Sequence, residues 1–211
     1  MRSRLIAAAA LAAVGSLALS GCITIFPKAT PVQLYRFGLE PAKAPPAAGA
    51  PFNLQRSPLQ FAREAQSDAI LTATGAQTAY IGGARWVGPA VVLFDQAVDR
   101  AFDAAGGPAR VVPRGELGSG GVNLRLDVET FEARYPAGGG APTINVEVHA
   151  LLVKAVDRSI IAERLFSVQK PAEADRVSAI VRAYDDAVRD SIGQIVTWTE
   201  AEGEPTATPA S

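Results

Sequence analysis

Two reactive side chains, Cys22 and His149, are the only cysteine and the only histidine in the chain. A zinc site normally takes most of its ligands from these two residue types, so here it would need an unusual ligand set. Cys22 also has no second cysteine with which to form an intramolecular disulfide, the common fate of a thiol in an oxidising compartment. The chemistry of Cys22 must therefore be inferred from its neighbours.

The segment before Cys22 is typical of a secretory signal peptide. Arg2 and Arg4 precede an uncharged apolar run over residues 5–19, which is shorter than the roughly 20 residues that a membrane span needs. Its last four residues, LSGC, resemble the lipobox, in which small residues allow the cysteine thiol to be lipidated. We predict that residues 1–21 are removed and that lipid is attached to Cys22. An ordinary signal peptide with a chance cysteine and an uncleaved N-terminal anchor are the alternatives.

The predicted lipid also indicates a location. Bacterial lipoproteins as a class carry a diacylglyceryl group and usually an N-acyl group, and each buried methylene contributes roughly 0.8 kcal/mol to membrane binding. The residues after the cysteine are Ile23 and Thr24, so the chain lacks the aspartate that commonly retains such proteins at the inner membrane. In a bacterium with two membranes, we expect the periplasmic face of the outer membrane, the inner membrane being less favoured.

A hydrolytic site is the second chemistry that the sequence offers. His149 lies on the polar side of a predicted strand, across from Asp127, and could act as a base for a serine. However, no serine lies in the G-x-S-x-G turn that exposes such a nucleophile. Carboxylates on the same polar faces could supply an acid and a base for glycan cleavage: Asp127, Glu129, Glu132 and Glu147. A solvated strand face explains these residues more simply, so we predict no catalytic residue and no enzymatic activity.

Two further patterns have simple structural explanations. Residues 115–121, GELGSGG, lack the Lys-Ser/Thr ending of a nucleotide-binding loop and precede a strand instead of a helix. Asp95, Asp99 and Asp103 form a stripe along a predicted helix that could dock a basic partner or hold a cation. The favoured interpretation is a solvated helix face on which Arg100 reduces the repulsion between the aspartates. We therefore expect no cofactor and no metal site.

Hydrophobic periodicity predicts the order of the secondary structure. Strands are indicated by β-branched and alternating apolar residues, and helices by apolar residues spaced near 3.6. The predicted strands are 32–38, 69–74, 78–81, 122–129, 144–152 and 160–168, the last with Ile160, Ala162, Phe166 and Val168 on one side. The predicted helices are 89–106 and 173–199, the second with Glu173 and Asp175 in its first turn and an Asp185–Arg189 pair. We predict an α+β fold: a mainly antiparallel sheet, including a three-stranded meander, with two amphipathic helices packed on one face.

Composition indicates one domain. About 190 residues remain after loss of the signal, enough for a single hydrophobic core. Removing two of the 20 basic side chains leaves 18 against 21 acidic ones, without long runs of either sign, a pattern that does not indicate nucleic-acid binding. Residues 40–58 are rich in Pro, Ala and Gly and are predicted to be loop or linker. The predicted domain is 22–200, and residues 201–211 are a flexible tail.

Four short motifs follow the lipobox in order: LYRF at 34–37, YIGGARW at 80–86, LDVETF at 126–131 and IVTW at 195–198. Over residues 22–200 their order and spacing resemble the ABC-type transport auxiliary lipoprotein component family, which accompanies transporters that carry MCE-domain lipid-binding subunits. The Ala-Arg-Trp before the first helix is the most telling, although Trp86 could simply wedge that helix against the sheet. Because the motif is structural, the resemblance carries over no catalytic residue.

The resemblance implies a non-enzymatic role in the cell envelope. Such a protein is a partner of a periplasmic MCE-domain protein and its ABC permease and ATPase, and helps to pass phospholipid or another hydrophobic molecule between membranes. The resemblance also implies that several copies of the chain could assemble into a homo-oligomeric ring. Two other classes stay open: a lipoprotein that regulates a cell-wall synthase, and a small envelope hydrolase that uses His149.

The predicted anchor can be tested by replacing Cys22 with alanine. Cys22→Ala should lose all incorporation of a fatty-acid analogue, because the chain has no other cysteine. Cells are grown with the analogue and the label is measured on the purified protein. The matched variant Ser20→Ala keeps a small residue before the cysteine and should retain the label. Persistent labelling of Cys22→Ala would contradict the predicted attachment site.

Overall fold

Nine strands and two helices make up the described part of the chain, residues 31–41, 48–113 and 121–203 of a computed structural model. The elements in order are β1 (Gln33–Tyr35), β2 (Phe52–Arg56), β3 (Gln60–Phe61), β4 (Ala69–Thr74), β5 (Gln77–Trp86), α1 (Ala90–Ala105), β6 (Ala109–Val111), β7 (Val122–Tyr135), β8 (Thr143–Lys154), β9 (Ile160–Pro171) and α2 (Val177–Glu202). Neither of these helices is long and apolar enough to cross a membrane. The described residues from Val32 onward belong to one compact unit.

The sheet is organised around β7, which is hydrogen-bonded along both edges. One edge pairs antiparallel with β8, and β8 pairs antiparallel with β9. The other edge is met in succession by three parallel strands, β2, β3 and β4. β2 also pairs with β6, while β4 pairs with β5, which in turn pairs with β1. Five pairings are parallel and three are antiparallel, so the sheet is mixed.

The α+β class is confirmed and the β7–β8–β9 meander is present, but the expectation of a mainly antiparallel sheet is wrong. Parallel pairs join strands that are distant in sequence, so periodicity along the chain does not reveal them.

β2 also lies within residues 40–58, where a loop was predicted. Phe52, Leu54 and Arg56 alternate toward the interior, but Pro51 and Pro58 on either side obscured this short strand.

The third strand of the meander departs from its predicted pattern. Phe166 and Val168 are buried as expected, whereas Ile160 is exposed. The pairing of β8 with β9 shifts register between Leu152 and Val153. This irregularity reverses which side chains at the start of β9 face the core, so Ile160 points to solvent. A strictly alternating pattern cannot predict such a shift.

The helices begin and end close to the predicted positions. Pro89 occupies the cap position of α1, and Gly106 ends it in the left-handed conformation at φ 64°. α2 starts four residues later than expected, so the prediction that Glu173 and Asp175 occupy its first turn is wrong. Their carboxylates are used elsewhere: Glu173 pairs with Arg182, and Asp175 accepts a hydrogen bond from a tyrosine of β7.

That tyrosine is Tyr135, the last residue of β7. Its hydroxyl donates to Oδ1 of Asp175 at 2.8 Å. Burial, and then the hydrogen bond and charge of Asp175, raise the pKa of Tyr135 to about 12. The raised pKa keeps the phenol protonated into more alkaline solution, and its hydrogen bond connects β7 to the segment before α2.

An aromatic cluster fills the space between the sheet and the helices. Trp86 of β5 meets Phe37 at 4.9 Å and Tyr184 of α2 at 5.2 Å, ring centre to ring centre. Phe131 of β7 contacts Tyr184 at 4.9 Å and Phe94 of α1 at 6.3 Å. Trp86 was expected to wedge the first helix, whereas in the described ring contacts the helix that it meets is α2. Both helices therefore share one core with the sheet.

A buried ion pair joins β2 to α1. The Arg56 side chain is 3% exposed, and its guanidinium lies 2.5 Å from Asp95 and also pairs with Asp99. The prediction of a solvated acidic face is therefore wrong for Asp95, whose side chain is 19% exposed, whereas Asp99 pairs with the same arginine and stays 49% exposed. Asp103 is exposed as expected.

Glu200 is a second buried charge, at the end of α2. The residue is 3% exposed, and its Oε2 is buried without a hydrogen-bond partner among the described atoms. It packs against Gly107, where a Cβ would lie 1.8 Å from its Oε1. Burial raises the pKa of Glu200, and the charge of Arg110 partly opposes that rise. Ala201 and Glu202, which were predicted to belong to a flexible tail, lie in α2, and residues 204–211 lie outside the described part of the chain.

Replacing Arg56 should test the buried pair. Arg56→Gln removes the cation from between Asp95 and Asp99, and we expect it to lower the free energy of unfolding by about 2 to 3 kcal/mol. This is less than the loss of one member of a fully buried pair would cost, because both aspartates are partly exposed to water. The matched control is Arg182→Gln, which breaks the exposed pair with Glu173 and should cost less than about 0.5 kcal/mol. Urea unfolding at pH 7 measures both. Equal losses in the two variants would contradict the proposed role of Arg56.

Glu200→Gln should change the pH dependence of stability. Because the folded-state pKa of Glu200 is raised, the stability that it contributes is present below its ordinary value of 4.5 and is lost as the pH rises through the folded-state value. The variant should therefore be more stable than the parent at pH 7, and this advantage should shrink toward pH 4. Urea unfolding at both pH values measures it, with the exposed Glu202→Gln as control. An advantage that does not change with pH would refute the assignment.

Candidate functional site: a groove between the second helix and the edge strand

Cys22, the predicted site of lipid attachment, lies outside the described residues, and its lipidation stays a prediction. The described chain begins at Pro31, and β1 follows at once. Residues 114–120, most of the glycine-rich segment considered as a nucleotide loop, also lie outside the described part.

His149 lies where the sequence predicted, directly across from Asp127 in the β7–β8 register. Its Nε2, however, is 2.6 Å from Oε1 of Glu163 on β9, a partner that the sequence reasoning missed. The nearby Ser57 donates its hydroxyl hydrogen bond to Asn123 at 2.8 Å. In the described contacts the imidazole and this serine thus bond to other groups, whereas a serine nucleophile needs the histidine as its base.

Two of the four carboxylates considered for glycan cleavage have structural partners, while Asp127 and Glu129 are exposed. Glu147 accepts hydrogen bonds from Thr130 at 2.8 Å and from Ser167 at 3.2 Å. Glu132 is buried and lies 2.5 Å from the guanidinium of Arg134. No group of three or more His, Cys, Asp or Glu side chains in the described chain is arranged to hold a metal ion. Glu147 therefore connects β8 to both β7 and β9, whereas the Glu132–Arg134 pair lies within β7.

An open groove of about 760 Å³ lies between α2, β9 and the segment after β1. We call it the α2–β9 groove. Its wall on the helix includes positions 190, 194, 197 and 201, which recur at helical spacing. From β9 come Arg164 and Phe166, and from the segment after β1 come Glu40 and Pro41. The sequence reasoning missed this groove, although the exposed stripe of α2 was its available signal.

Aromatic side chains form the apolar part of the α2–β9 groove. The rings of Phe166 and Trp198 meet edge to face with centres 5.7 Å apart. The guanidinium carbon of Arg164 lies 5.0 Å from the centre of the Phe166 ring, a cation–π distance. Trp198 belongs to the IVTW motif, so that motif contributes directly to the groove.

Charges of both signs surround this apolar surface. Arg189 pairs with Asp185, four residues earlier, as the sequence predicted, and also with Asp186 at 3.1 Å. Asp190 lies 2.5 Å from the ammonium of Lys170 on β9. An open cleft bounded by charges of both signs above a buried aromatic pair suits the docking of a partner segment, since a polar, solvent-accessible rim is typical of protein interfaces.

The segment after β1 crosses both helices before it reaches the groove. The Gly38 amide donates to Asp185 of α2 at 2.6 Å, and its carbonyl accepts from Arg100 of α1 at 2.6 Å. Gly38 has φ 68°, and a Cβ there would lie 2.7 Å from the Cβ of Ala97. Only glycine fits this close, left-handed passage without strain. The segment therefore fixes Glu40 and Pro41 at the groove.

Solved structures resemble this domain along most of its length. Protein XCC0632 from Xanthomonas campestris is 25% identical, with a TM-score of 0.71 over 82% of this chain and 97% of that chain. A protein described as uncharacterized is 16% identical, with a TM-score of 0.59 over 79% of this chain and 97% of that chain, which indicates a shared fold. A comparison with curated proteins found no match.

The resemblance inferred from four motifs is confirmed by a family model. The model described as "ABC-type transport auxiliary lipoprotein component" matches residues 35–196, from the end of β1 to the last turns of α2. The matched range includes the aromatic cluster, the Gly38 crossing and most of the groove. The chain therefore belongs to the family of ABC-type transport auxiliary lipoprotein components.

Proposed function

We propose that the protein is a non-enzymatic, lipid-anchored auxiliary component of an ABC/MCE-type transport system that moves phospholipid or another hydrophobic molecule between the envelope membranes. The family match over residues 35–196 carries this proposal. Its location would be the periplasmic face of the outer membrane, supported by the lipobox at Cys22 and by Ile23 and Thr24 after it.

The arrangement of side chains favours a docking role over catalysis. The described contacts give His149 no serine nucleophile, because its imidazole bonds to Glu163 while the nearby Ser57 donates to Asn123. Glu147 bonds to Thr130 and Ser167. The α2–β9 groove, by contrast, is an open cleft in which charged and polar side chains lie over the buried rings of Phe166 and Trp198. We propose that this groove receives the periplasmic MCE-domain protein, while the ATPase and the permease are separate chains.

A cell-wall synthase regulator remains the second candidate, because a short lipid-anchored α+β domain also suits that role. A homo-oligomeric ring, which the family resemblance raised, is a further part of the proposal. Light scattering of the acylated protein in detergent measures its molar mass. A mass of several chains would support a ring, and the mass of one chain would contradict it.

Photo-cross-linking in native membranes tests the partner. A photoreactive residue replaces Gln194, which is exposed in the groove. The matched control replaces Val156, which is exposed in the turn between β8 and β9. We expect capture of an MCE-domain protein from position 194 and much weaker capture from position 156. Capture of a cell-wall synthase would refute the transport proposal, and equal capture from both positions would refute the groove as the docking surface.

A further inference from the structure

An exposed apolar patch lies on the edge strand β1, on the face away from the core. Leu34 is 63% exposed, and Val32 and Val87 are also exposed. Tyr35 packs against the core and Trp86 lies within it. Because alternate residues of a strand point to opposite faces, Val32 and Leu34 share the outer face.

The register brings Val87 to the same patch. Leu34 pairs with Arg85 across the parallel β1–β5 ladder, and the Val87 amide donates to the Tyr35 carbonyl at 2.7 Å. Arg85 and Val87 are two residues apart and share the outer face with Leu34. We call Val32, Leu34 and Val87 the β1 patch. Contiguous exposed apolar side chains of this kind are typical of surfaces that meet a partner or a membrane.

Two arginines accompany the β1 patch. Arg36 is exposed and follows Leu34 on the same face, and Arg85 is half exposed while it pairs with Asp68 at 2.9 Å. Apolar side chains beside cations suit the headgroup region of a bilayer that contains anionic lipid, because the chains enter the apolar boundary while the cations meet phosphate.

The position of the patch in the chain identifies its occupant. Only nine residues separate Cys22 from Val32, and an extended chain reaches at most about 3.3 to 3.6 Å per residue. The patch is therefore held within about 35 Å of the lipid attached to Cys22. We propose that the β1 patch rests on the lipid bilayer that carries the anchor, so that the domain has a fixed orientation on the membrane. This inference depends on the lipid anchor of the proposed function.

Site-specific fluorescence of the acylated protein tests the contact. Cys22 is the only cysteine, and acylation converts its thiol to a thioether, so a new cysteine is the only one that reacts with an environment-sensitive fluorophore. Leu34→Cys and Val87→Cys report on the patch. Gln33→Cys lies on the same strand but on its other face, and Val156→Cys is a distant exposed apolar position, 84% exposed. The labelled proteins are reconstituted into vesicles of phosphatidylethanolamine and phosphatidylglycerol.

Flotation of the vesicles first reports whether the protein is anchored. In floating protein, we expect the probes at 34 and 87 to shift to shorter emission wavelengths and to be quenched by spin-labelled lipid, while the probes at 33 and 156 stay water-like. Water-like probes at 34 and 87 in floating protein would overturn the β1 patch contact and leave the anchor intact. Equal quenching at 33 and 34 would also overturn it, because proximity alone would then explain the signal. Acylated protein that fails to float would overturn both the anchor and the contact.

Discussion

The double pairing of β7 is the constraint on which the rest of the fold depends. Its 14 residues bond to β8 on one edge and to β2, β3 and β4 on the other. Three strands too short to persist alone are thereby held in register by one long neighbour. Phe131 in the same strand contacts aromatic rings from both helices. A change that shifts β7 would therefore displace both sheet edges and the helix layer together.

The elements that could be predicted from the sequence are those whose pattern is local. β7 and β8 alternate over many residues, and α1 and α2 keep an apolar stripe for several turns, so their existence followed from periodicity. β2 was missed because five residues between proline-rich segments show too little alternation to outweigh composition. Its parallel partners are distant in sequence, and no local pattern records them.

The buried charges could not be predicted for a related reason. The aspartates at 95 and 99 form an acidic stripe on an isolated helix, and only the fold brings Arg56 between them. The α2–β9 groove depends in the same way on the Gly38 crossing, which carries the chain from one sheet edge across both helices. The groove residues were visible as an exposed helical stripe, but the opposite wall was not. The family resemblance, by contrast, followed from short motifs because they supply core residues such as Trp86 and Phe131 at fixed spacing.

The two proposed surfaces lie at opposite edges of the sheet. Strand order runs from β1 through β5, β4, β7 and β8 to β9, so the edges are separated by five strand spacings, about 24 Å at roughly 4.8 Å each. Leu34 points from the sheet face opposite to Trp86, whose ring contacts Tyr184 of α2. If the β1 patch rests on the membrane, the α2 wall of the groove therefore lies on the far side of the sheet from the bilayer. A tether alone would let the groove sample every direction. The patch would limit those directions and thereby lower the entropic cost of docking, which increases the affinity of an assembly without any new contact to the partner.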